Sequence, residues 1–424
     1  MVILQNLLGL VVTIALCWLL SWNRKEVKWL NVVKALVAEF VIAFIIVKIP
    51  AGAAALKFLS DAITKVLNCG ADGLDFVFGS LWNGAAGYIF IVQSLGGIIF
   101  VSSLVSVLYY LGVIGFVVKY IGKAVGALMG STEVESFVAV ANMFLGHTDS
   151  PILVAKYLPD LTDSEIFVIL VSGMGSMSAS ILIGYTSLGI DMAHLLIASA
   201  MVPIGSILVS KIICPQVDKP KAIGGVSMDN KGNNGNVIDA LSEGANTGMS
   251  MVIAIGASLV GFVGMVAVID LFLAQLGRVG LSGISLASIF GYVFAPFSWL
   301  LGMGNEAITV VADGKTIFEG SKLMFEGTLL GNKLILNEFI AFGDLGSAIK
   351  MGNVLSEMEQ VILTISLAGF ANLSSMGMCV GGIGVLCPEK RPTISRLVLK
   401  ATIAGVFVSI NSALIVSVIY HLPF

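Results

Sequence analysis

Charge is scarce in this chain. Only 12% of its 424 residues are Asp, Glu, Lys or Arg, about half of the roughly 25% that a soluble domain carries. With 57% hydrophobic residues and a mean hydropathy of +1.00, that shortage excludes an ordinary water-soluble globule and identifies a polytopic membrane protein. Cysteine is scarce too: Cys17, Cys69, Cys214, Cys379 and Cys387, odd in number and without a Cys-x-x-Cys spacing. They imply neither a disulfide framework nor a metal cluster. No run of Lys and Arg suggests a nucleic-acid partner. The net charge of −3 carries little information, because in a membrane protein the placement of Lys and Arg matters more. No basic stretch precedes the first apolar segment; Arg24 and Lys25 follow it. That segment reads as a spanning helix rather than a cleaved leader.

What is abundant is apolar sequence in lengths suited to a bilayer, about 20 residues per helix. Eight spanning segments are expected, at 2–22, 30–49, 88–118, 165–189, 193–213, 245–269, 357–386 and 399–420. Residues 88–118 hold no charge over 31 positions, which predicts one tilted or extended helix. Residues 55–68 place Leu59, Ala62, Ile63, Val66 and Leu67 on one face, predicting an amphipathic helix along the membrane interface. The polar stretch 214–244 reads as a linker. Lys and Arg collect in the loops after the first, third, fifth and seventh spans. Those loops are assigned to the cytoplasm, which puts both termini outside.

Two apolar stretches are interrupted by polar groups instead of spanning. One ends in Asn142-Met-Phe-Leu-Gly-His-Thr-Asp-Ser-Pro151, the other in Gly304-Asn305-Glu306. Such polar groups in hydrocarbon are costly and mark functional sites. Both stretches predict re-entrant hairpins, at 130–160 and 281–330. Each is followed by an interrupted helix, with Ser-Gly-Met-Gly-Ser-Met-Ser at 172–178 and Gly-Phe-Ala-Asn-Leu-Ser-Ser at 369–375, and then by an unbroken one. The order hairpin, broken helix, helix thus occurs twice in opposite orientation. Inverted repeats with discontinuous helices are the architecture of secondary transporters. The expected fold is an all-α polytopic membrane protein with eight transmembrane helices, two re-entrant hairpins and one interfacial helix.

The interruptions carry the candidate chemistry. A carboxylate such as Glu306 can accept two hydrogen bonds from a diol; alternatively it is a solvent-facing loop residue, since Asp313 and Lys315 follow closely. Asn372 and Ser375 lie one helical turn apart and face the same way, either toward hydroxyls of a solute or toward neighbouring helices. Phe370 can pack on a flat ligand or simply fill the core. His147, Thr148 and Asp149 offer donors and acceptors in a row; His147 is also a possible proton carrier or a bridge across the hairpin tip. Asn142 and Ser176, with the carbonyls of Leu145 and Met177, supply the oxygen ligands that a hard cation takes.

These residues match a known family. The stretches Asn142-Met-Phe-Leu-Gly-His-Thr-Asp-Ser-Pro151, Asn236-Val-Ile-Asp-Ala240, Asn305-Glu-Ala307, Asn337-Glu-Phe339 and Gly369-Phe-Ala-Asn-Leu-Ser-Ser375 resemble those of a bacterial member of the concentrative nucleoside transporters. The resemblance implies a homotrimer in the cytoplasmic membrane. It implies that His147, Thr148 and Asp149 meet the nucleobase, and that Glu306, Asn372 and Ser375 bind the ribose beside Phe370. It implies a sodium site from the Asn142 and Ser176 side chains with the Leu145 and Met177 carbonyls. His147 and Asp149 stand where the family usually carries Gln and Glu. The shorter Asp leaves room for a larger base, which points toward purine nucleosides. The segment 312–327 looks longer than the family pattern and reads as an outer loop.

The resulting expectation is a sodium-driven nucleoside symporter working by alternating access. Its scaffold comprises 1–125 and 245–275; its moving halves are 130–213 and 281–424, joined by the linker 214–244. A proton-coupled symporter using His147 and Asp149, and an uncoupled channel for small polar solutes, are the alternatives. Nothing supplies the nucleophile–base pair or ligand set of an enzyme, and no cofactor beyond the coupling ion is implied.

Overall fold

The computed structural model describes residues 2–85, 87–221, 234–275, 284–312 and 314–423. Its helices are α1 (Val2–Leu19), α2 (Trp29–Val47), α3 (Pro50–Asn68), α4 (Gly70–Phe78), α5 (Phe90–Gln93), α6 (Gly97–Tyr110), α7 (Val113–Met129), α8 (Glu133–Ala141), α9 (Asp163–Gly175), α10 (Ala179–Ser187), α11 (Met192–Ile213), α12 (Val237–Ala274), α13 (Leu286–Leu301), α14 (Lys322–Ile335), α15 (Glu338–Lys350), α16 (Glu357–Leu367), α17 (Leu373–Leu386) and α18 (Arg391–Tyr420). One antiparallel ribbon, β1 (Ala307–Ala312) with β2 (Lys315–Ser321), stands between α13 and α14. Among the described residues, 7 helical stretches are long and apolar enough to cross a membrane. They coincide with seven of the eight expected segments. The eighth, 357–386, is divided into α16 and α17 by its predicted interruption.

Three boundaries differ from the sequence reading. Residues 88–118 are not one helix. The chain turns at Leu111–Gly112, where Gly112 is left-handed, and α7 then runs separately to Met129 with Val118, Gly122 and Val125 buried and Lys119 and Lys123 exposed. The span expected at 245–269 begins earlier. Asn236 caps α12 by accepting the Asp239 amide at 3.0 Å, so the helix takes in the end of the predicted linker and reaches 38 residues. Residues 222–233 of that linker lie outside the described residues. The third difference is the largest. Residues 281–330 do not form a hairpin tip at Gly304–Glu306. Instead α13 and α14 pack against one another, with Gly327 against the Gly291 backbone, and are joined by the β-ribbon, while a further helical hairpin, α14 with α15, turns at Leu336–Asn337. The predicted interfacial helix is present as α3, with Phe58 and Leu59 exposed and Leu67 buried.

Polar loops become helix starts through reciprocal caps. Thr132 accepts the Glu135 amide while the Glu135 carboxylate accepts the Thr132 amide at 2.9 Å; Thr162 and Glu165 repeat the arrangement at the start of α9. Each such box satisfies two amides that a helix N-terminus leaves free. Glu135 also pairs with Lys211, which donates further to Ser164 Oγ and Gln216 Oε1, both at 3.0 Å. The starts of α8 and α9 are thereby fastened to the end of α11.

The element order supports the duplicated unit. α6, α7, the first hairpin (α8 and a 3-10 stretch Ser150–Asp160), α9 with α10, and α11 are followed by α12, α13, the α14–α15 hairpin, α16 with α17, and α18. Two stretches of membrane-spanning length, α9 with α10 and α11, lie between α6 and α12, and by that count α12 runs opposite to α6. The innermost helices are α9, α11 and α18, buried along nearly their whole length. α1 and α2 pack on α11 and α18, whereas α6 pairs with α12. That last pair is close: a Cβ on Gly244 or Gly248 would stand 2.6 or 2.7 Å from the backbone of Ser103 or Ile99, an approach that small residues permit in membrane helices.

Candidate functional site

The site is assembled where the two broken helices cross. α9 stops at Gly175 because Ser176 leaves helical geometry (φ −99°, ψ 167°). α10 restarts after an extended Ser178. α16 stops as Ala368 turns out of the helix (φ −59°, ψ 139°) and Gly369 takes φ 103°. α17 restarts behind Asn372, whose Oδ1 accepts the Ser375 amide at 2.8 Å. The breaks touch directly, since the Phe370 amide donates to the Ser176 carbonyl at 3.1 Å. A Cβ on Gly369 would lie 2.7 Å from the Gly175 carbonyl oxygen. Both the positive φ and this contact require glycine there.

The tip of the first hairpin folds into the crossing. His147 rests its ring on Phe370, centroids 5.0 Å apart. Gly173 admits it: a Cβ at that position would come within 2.6 Å of the His147 Cβ. The hairpin tip, the second hairpin and both breaks enclose one cavity, lined by His147, Thr148, Glu338, Phe370, Asn372 and Ser375 together with Ser178. Glu338 opens α15 and is buried. Its Oε1 accepts the Tyr185 hydroxyl at 3.0 Å and its Oε2 accepts Asn372 Nδ2 at 2.9 Å. Tyr185 is itself clamped between Phe339 and Phe342. The carboxylate is therefore held from two sides, with lone pairs still available to the cavity.

Three buried polar atoms around this cavity lack a protein partner: His147 Nε2, Ser178 Oγ and Ser375 Oγ. Leaving such a group unpaired costs about 1–3 kcal/mol. A solute with hydroxyls and a hydrogen-bonding ring would satisfy all three, and Phe370 offers it a flat apolar wall.

Two sequence-predicted site residues fall elsewhere. Glu306 is exposed in the connector between α13 and β1, where its carbonyl accepts the Lys322 amide at 3.0 Å. The β-ribbon follows it directly, and Glu306 does not line the cavity at the crossing. Asp149 is half-buried in an adjoining cavity with Glu243, Thr247 and Ser180. That cavity shares Leu145 and Met251 with the first. Glu306 lines neither cavity, so Asp149 and Glu306, both given to one nucleoside by the family resemblance, do not meet there. The acid at the crossing is Glu338, to which sequence reasoning assigns no role although the stretch Asn337-Glu-Phe339 contributes to the family resemblance. Sequence reasoning misses Ser178 and Tyr185 as well. The available signal for Glu338 is an acid flanked on both sides by apolar residues, Leu334-Ile-Leu-Asn-Glu-Phe-Ile-Ala-Phe342.

The expected cation ligands lie on neighbouring segments. Asn142 caps the end of α8, fully buried; its Oδ1 accepts Ser150 Oγ at 2.6 Å and its Nδ2 donates to Ser172 Oγ at 2.9 Å. Ser176, also buried, donates to the Gly173 carbonyl at 3.2 Å. Gly173 lies beside Asn142 as well, its notional Cβ 3.9 Å from Oδ1. Leu145 and Met177 belong to the tip and the break that flank this cluster, and the Ala179 amide binds the Phe144 carbonyl at 3.1 Å to join them. These donors are neutral oxygens. Among the described residues, no group of three or more His, Cys, Asp or Glu offers a transition-metal site.

Known proteins similar to this chain include several nucleoside transporters. Family profiles described as the Na+ dependent nucleoside transporter N-terminus, nucleoside recognition, and the Na+ dependent nucleoside transporter C-terminus match residues 8–81, 91–192 and 194–417. The nucleoside permease NupC of Helicobacter pylori is 33% identical over 96% of this chain and 99% of its own. Sodium/nucleoside cotransporter 1 of Rattus norvegicus is 32% identical, over 98% of this chain and 64% of its own. Among solved structures, CNTnw in an inward-facing substrate-bound state superposes with a TM-score of 0.89 at 33% identity, covering 100% of this chain and 99% of the other. A doubly substituted CNTnw in an outward-facing state gives 0.90 at 32% identity, covering 100% and 98%. The chain is a multi-pass membrane transporter rather than an enzyme, and it belongs to the Na+-dependent, concentrative nucleoside transporter family.

Proposed function

We propose that this chain imports nucleosides across the cytoplasmic membrane by symport with sodium. The observation that carries the reading is the convergence of Glu338 and the three unpartnered polar atoms, from His147, Ser178 and Ser375, on one cavity at the helix crossing. Glu338, Asn372 and Ser375 bind the ribose hydroxyls. His147 and Thr148 meet the base, and Phe370 packs on its face. Asp149, turned into the adjoining cavity, leaves Leu145, Ile181 and Met251 around the base end. That apolar room favours a bicyclic base, which supports a preference for purine nucleosides.

Sodium binds to the Asn142 and Ser176 side chains and the Leu145 and Met177 carbonyls. It orders the first hairpin tip, and so raises the affinity for the nucleoside that leans on His147 and Thr148. By linkage the nucleoside raises sodium affinity equally. The moving part carries both hairpins and both broken helices. Because α1 and α2 pack on α11 and α18, we place them with this moving part and not with the scaffold expected at 1–125. The scaffold is then α6 with α12. The latter buries only Ala240, Gly244, Gly248 and Val252 and exposes Val260, Leu271 and Phe272, an apolar flank suited to lipid and to the neighbouring subunits of a homotrimer. Both termini lie outside, in keeping with the basic loops.

Proteoliposomes test the reading. Radiolabelled nucleoside should accumulate against its gradient when sodium is imposed outside. Uptake that is unchanged when choline replaces sodium rejects the ion, and equilibration without accumulation rejects symport.

A further inference from the structure

The second half of the molecule holds a buried cation of its own. Lys333 lies in the last turn of α14 with 0% exposure. Its ammonium donates to the carbonyl oxygens of Ser366 at 3.0 Å and Ala368 at 2.8 Å, and to Ser409 Oγ on α18 at 2.8 Å. Ser409 gives its own proton to the Val406 carbonyl at 3.0 Å, so toward Lys333 it can only accept. Three N–H donors thus meet three acceptors. The two carbonyls stand at the C-terminal end of α16, where the break leaves oxygens without helical amides and the helix dipole gathers negative charge. A buried ammonium is costly unless fully paired, and here the pairing is complete.

The first half has a matching position. Asn142 likewise stands at the tip end of its hairpin's first arm and meets the C-terminal turn of a broken helix. There its partner Ser172 bonds back to Ile169 at 3.0 Å; Ser366, beside Lys333, bonds back to Leu363 at 2.9 Å. In one half the hairpin supplies a neutral amide to the broken helix end. In the other it supplies a charged amine.

We propose that Lys333 is a tethered cation, doing permanently for the second break what sodium does reversibly for the first, so that one exchangeable ion serves each subunit. The inference rests on the sodium reading above. Lys333 is a positioning residue: it fixes the oxygens of the α16 terminus and, through them, the turn that presents Phe370 and Asn372. It also lies in the field of the Glu338 carboxylate.

The reversal potential of nucleoside-coupled current in proteoliposomes of the unaltered protein gives the ion-to-nucleoside ratio. A ratio of one is expected. A ratio of two, with sodium dependence intact, overturns the tethered-cation role and leaves the sodium reading standing. Uptake indifferent to sodium overturns both. Lys333→Ser should lose uptake at ordinary sodium and recover part of it at high sodium or with added methylammonium, the Hill coefficient for sodium rising from one toward two. A folded Lys333→Ser protein, checked by its size-exclusion profile, with unaltered uptake and a coefficient of one overturns the proposal. Should that variant fail to fold, the ratio measured on the unaltered protein decides.

Discussion

Replacing Glu338 by Gln separates the acid at the crossing from the acid that the sequence suggests. The exchange keeps size and shape. Asn372 Nδ2 needs an acceptor at 2.9 Å, and Asn372 cannot flip because its Oδ1 already holds the Ser375 amide at 2.8 Å. The new amide must therefore point its oxygen at Asn372 and its NH2 at Tyr185, whose hydroxyl can turn to accept. The fold loses little. The cavity loses a charged acceptor and keeps a neutral one already engaged by Asn372. A hydrogen bond to a charged group contributes about 1.5–3 kcal/mol, a neutral one about 0.5–1.5. For two ribose hydroxyls the loss is about 2 kcal/mol, or roughly 30-fold in apparent affinity. Nucleoside KM in proteoliposomes reads this directly, with thermal melting in detergent as the check on folding. Glu306→Gln, exposed beside the β-ribbon, should leave KM within about twofold, as surface substitutions generally do. A Glu338→Gln protein with near-normal KM, or a Glu306→Gln protein that loses uptake, refutes the assignment.

Gly369→Ala forces a Cβ to 2.7 Å from the Gly175 carbonyl at a positive φ; a loss of about 3 kcal/mol or more is expected, seen as a large drop in melting temperature, and a variant melting like the parent contradicts the crossing geometry. Asn142→Ala removes one proposed sodium ligand and strands Ser150 and Ser172. The sodium concentration for half-maximal uptake should rise about tenfold, equivalent to about 1.4 kcal/mol, and an unchanged value removes Asn142 from the ion site. Thr162→Ala opens the capping box of α9 and removes one of the two acceptors of Gln216 Nε2; about 1 kcal/mol of stability should go while nucleoside KM stays put, so a KM effect without a stability effect speaks against a purely structural cap. Asp149→Asn should alter KM far less than Glu338→Gln, and the reverse order would return Asp149 to the base pocket.

Which parts of this architecture are legible in the sequence depends on how steep each energetic penalty is. A helix broken inside a bilayer must satisfy its backbone groups within the protein, so the Ser- and Gly-rich stretch at 172–178 and the stretch at 369–375 stand out, and both are breaks. Polar residues at 142–150 in an apolar setting do the same. The length of α12 is not legible, because residues 237–244 mix polar and apolar types and only the Asn236 cap settles where the helix starts. The β-ribbon is legible in principle: two runs rich in β-branched residues flank Asp-Gly at 313–314, a strong hairpin signal. A loop is expected there instead because extended structure is rare in an all-helical membrane protein.

The misplaced acid is more instructive, because Glu306 and Glu338 both stand directly after an asparagine. The 27-residue uncharged run before Glu306 favours it in the sequence. The residues after a charge decide its depth as much as the residues before it, since a buried charge must be enclosed from both sides. After Glu306 come β-branched residues and then Asp313 and Lys315, whose charges favour water. After Glu338 come Phe339, Ile340, Ala341 and Phe342, and five residues before it stands Lys333, equally buried. An isolated acid or base in hydrocarbon is a liability, whereas an acid and a base five residues apart across a turn, both in apolar sequence, imply a polar interior built to hold them. Lys333 secures the end of α16 and Glu338 faces the cavity that α16 and α17 enclose. A segment without a role in the sequence reading therefore carries both of the buried ionisable groups on which the proposals for ion and solute rest.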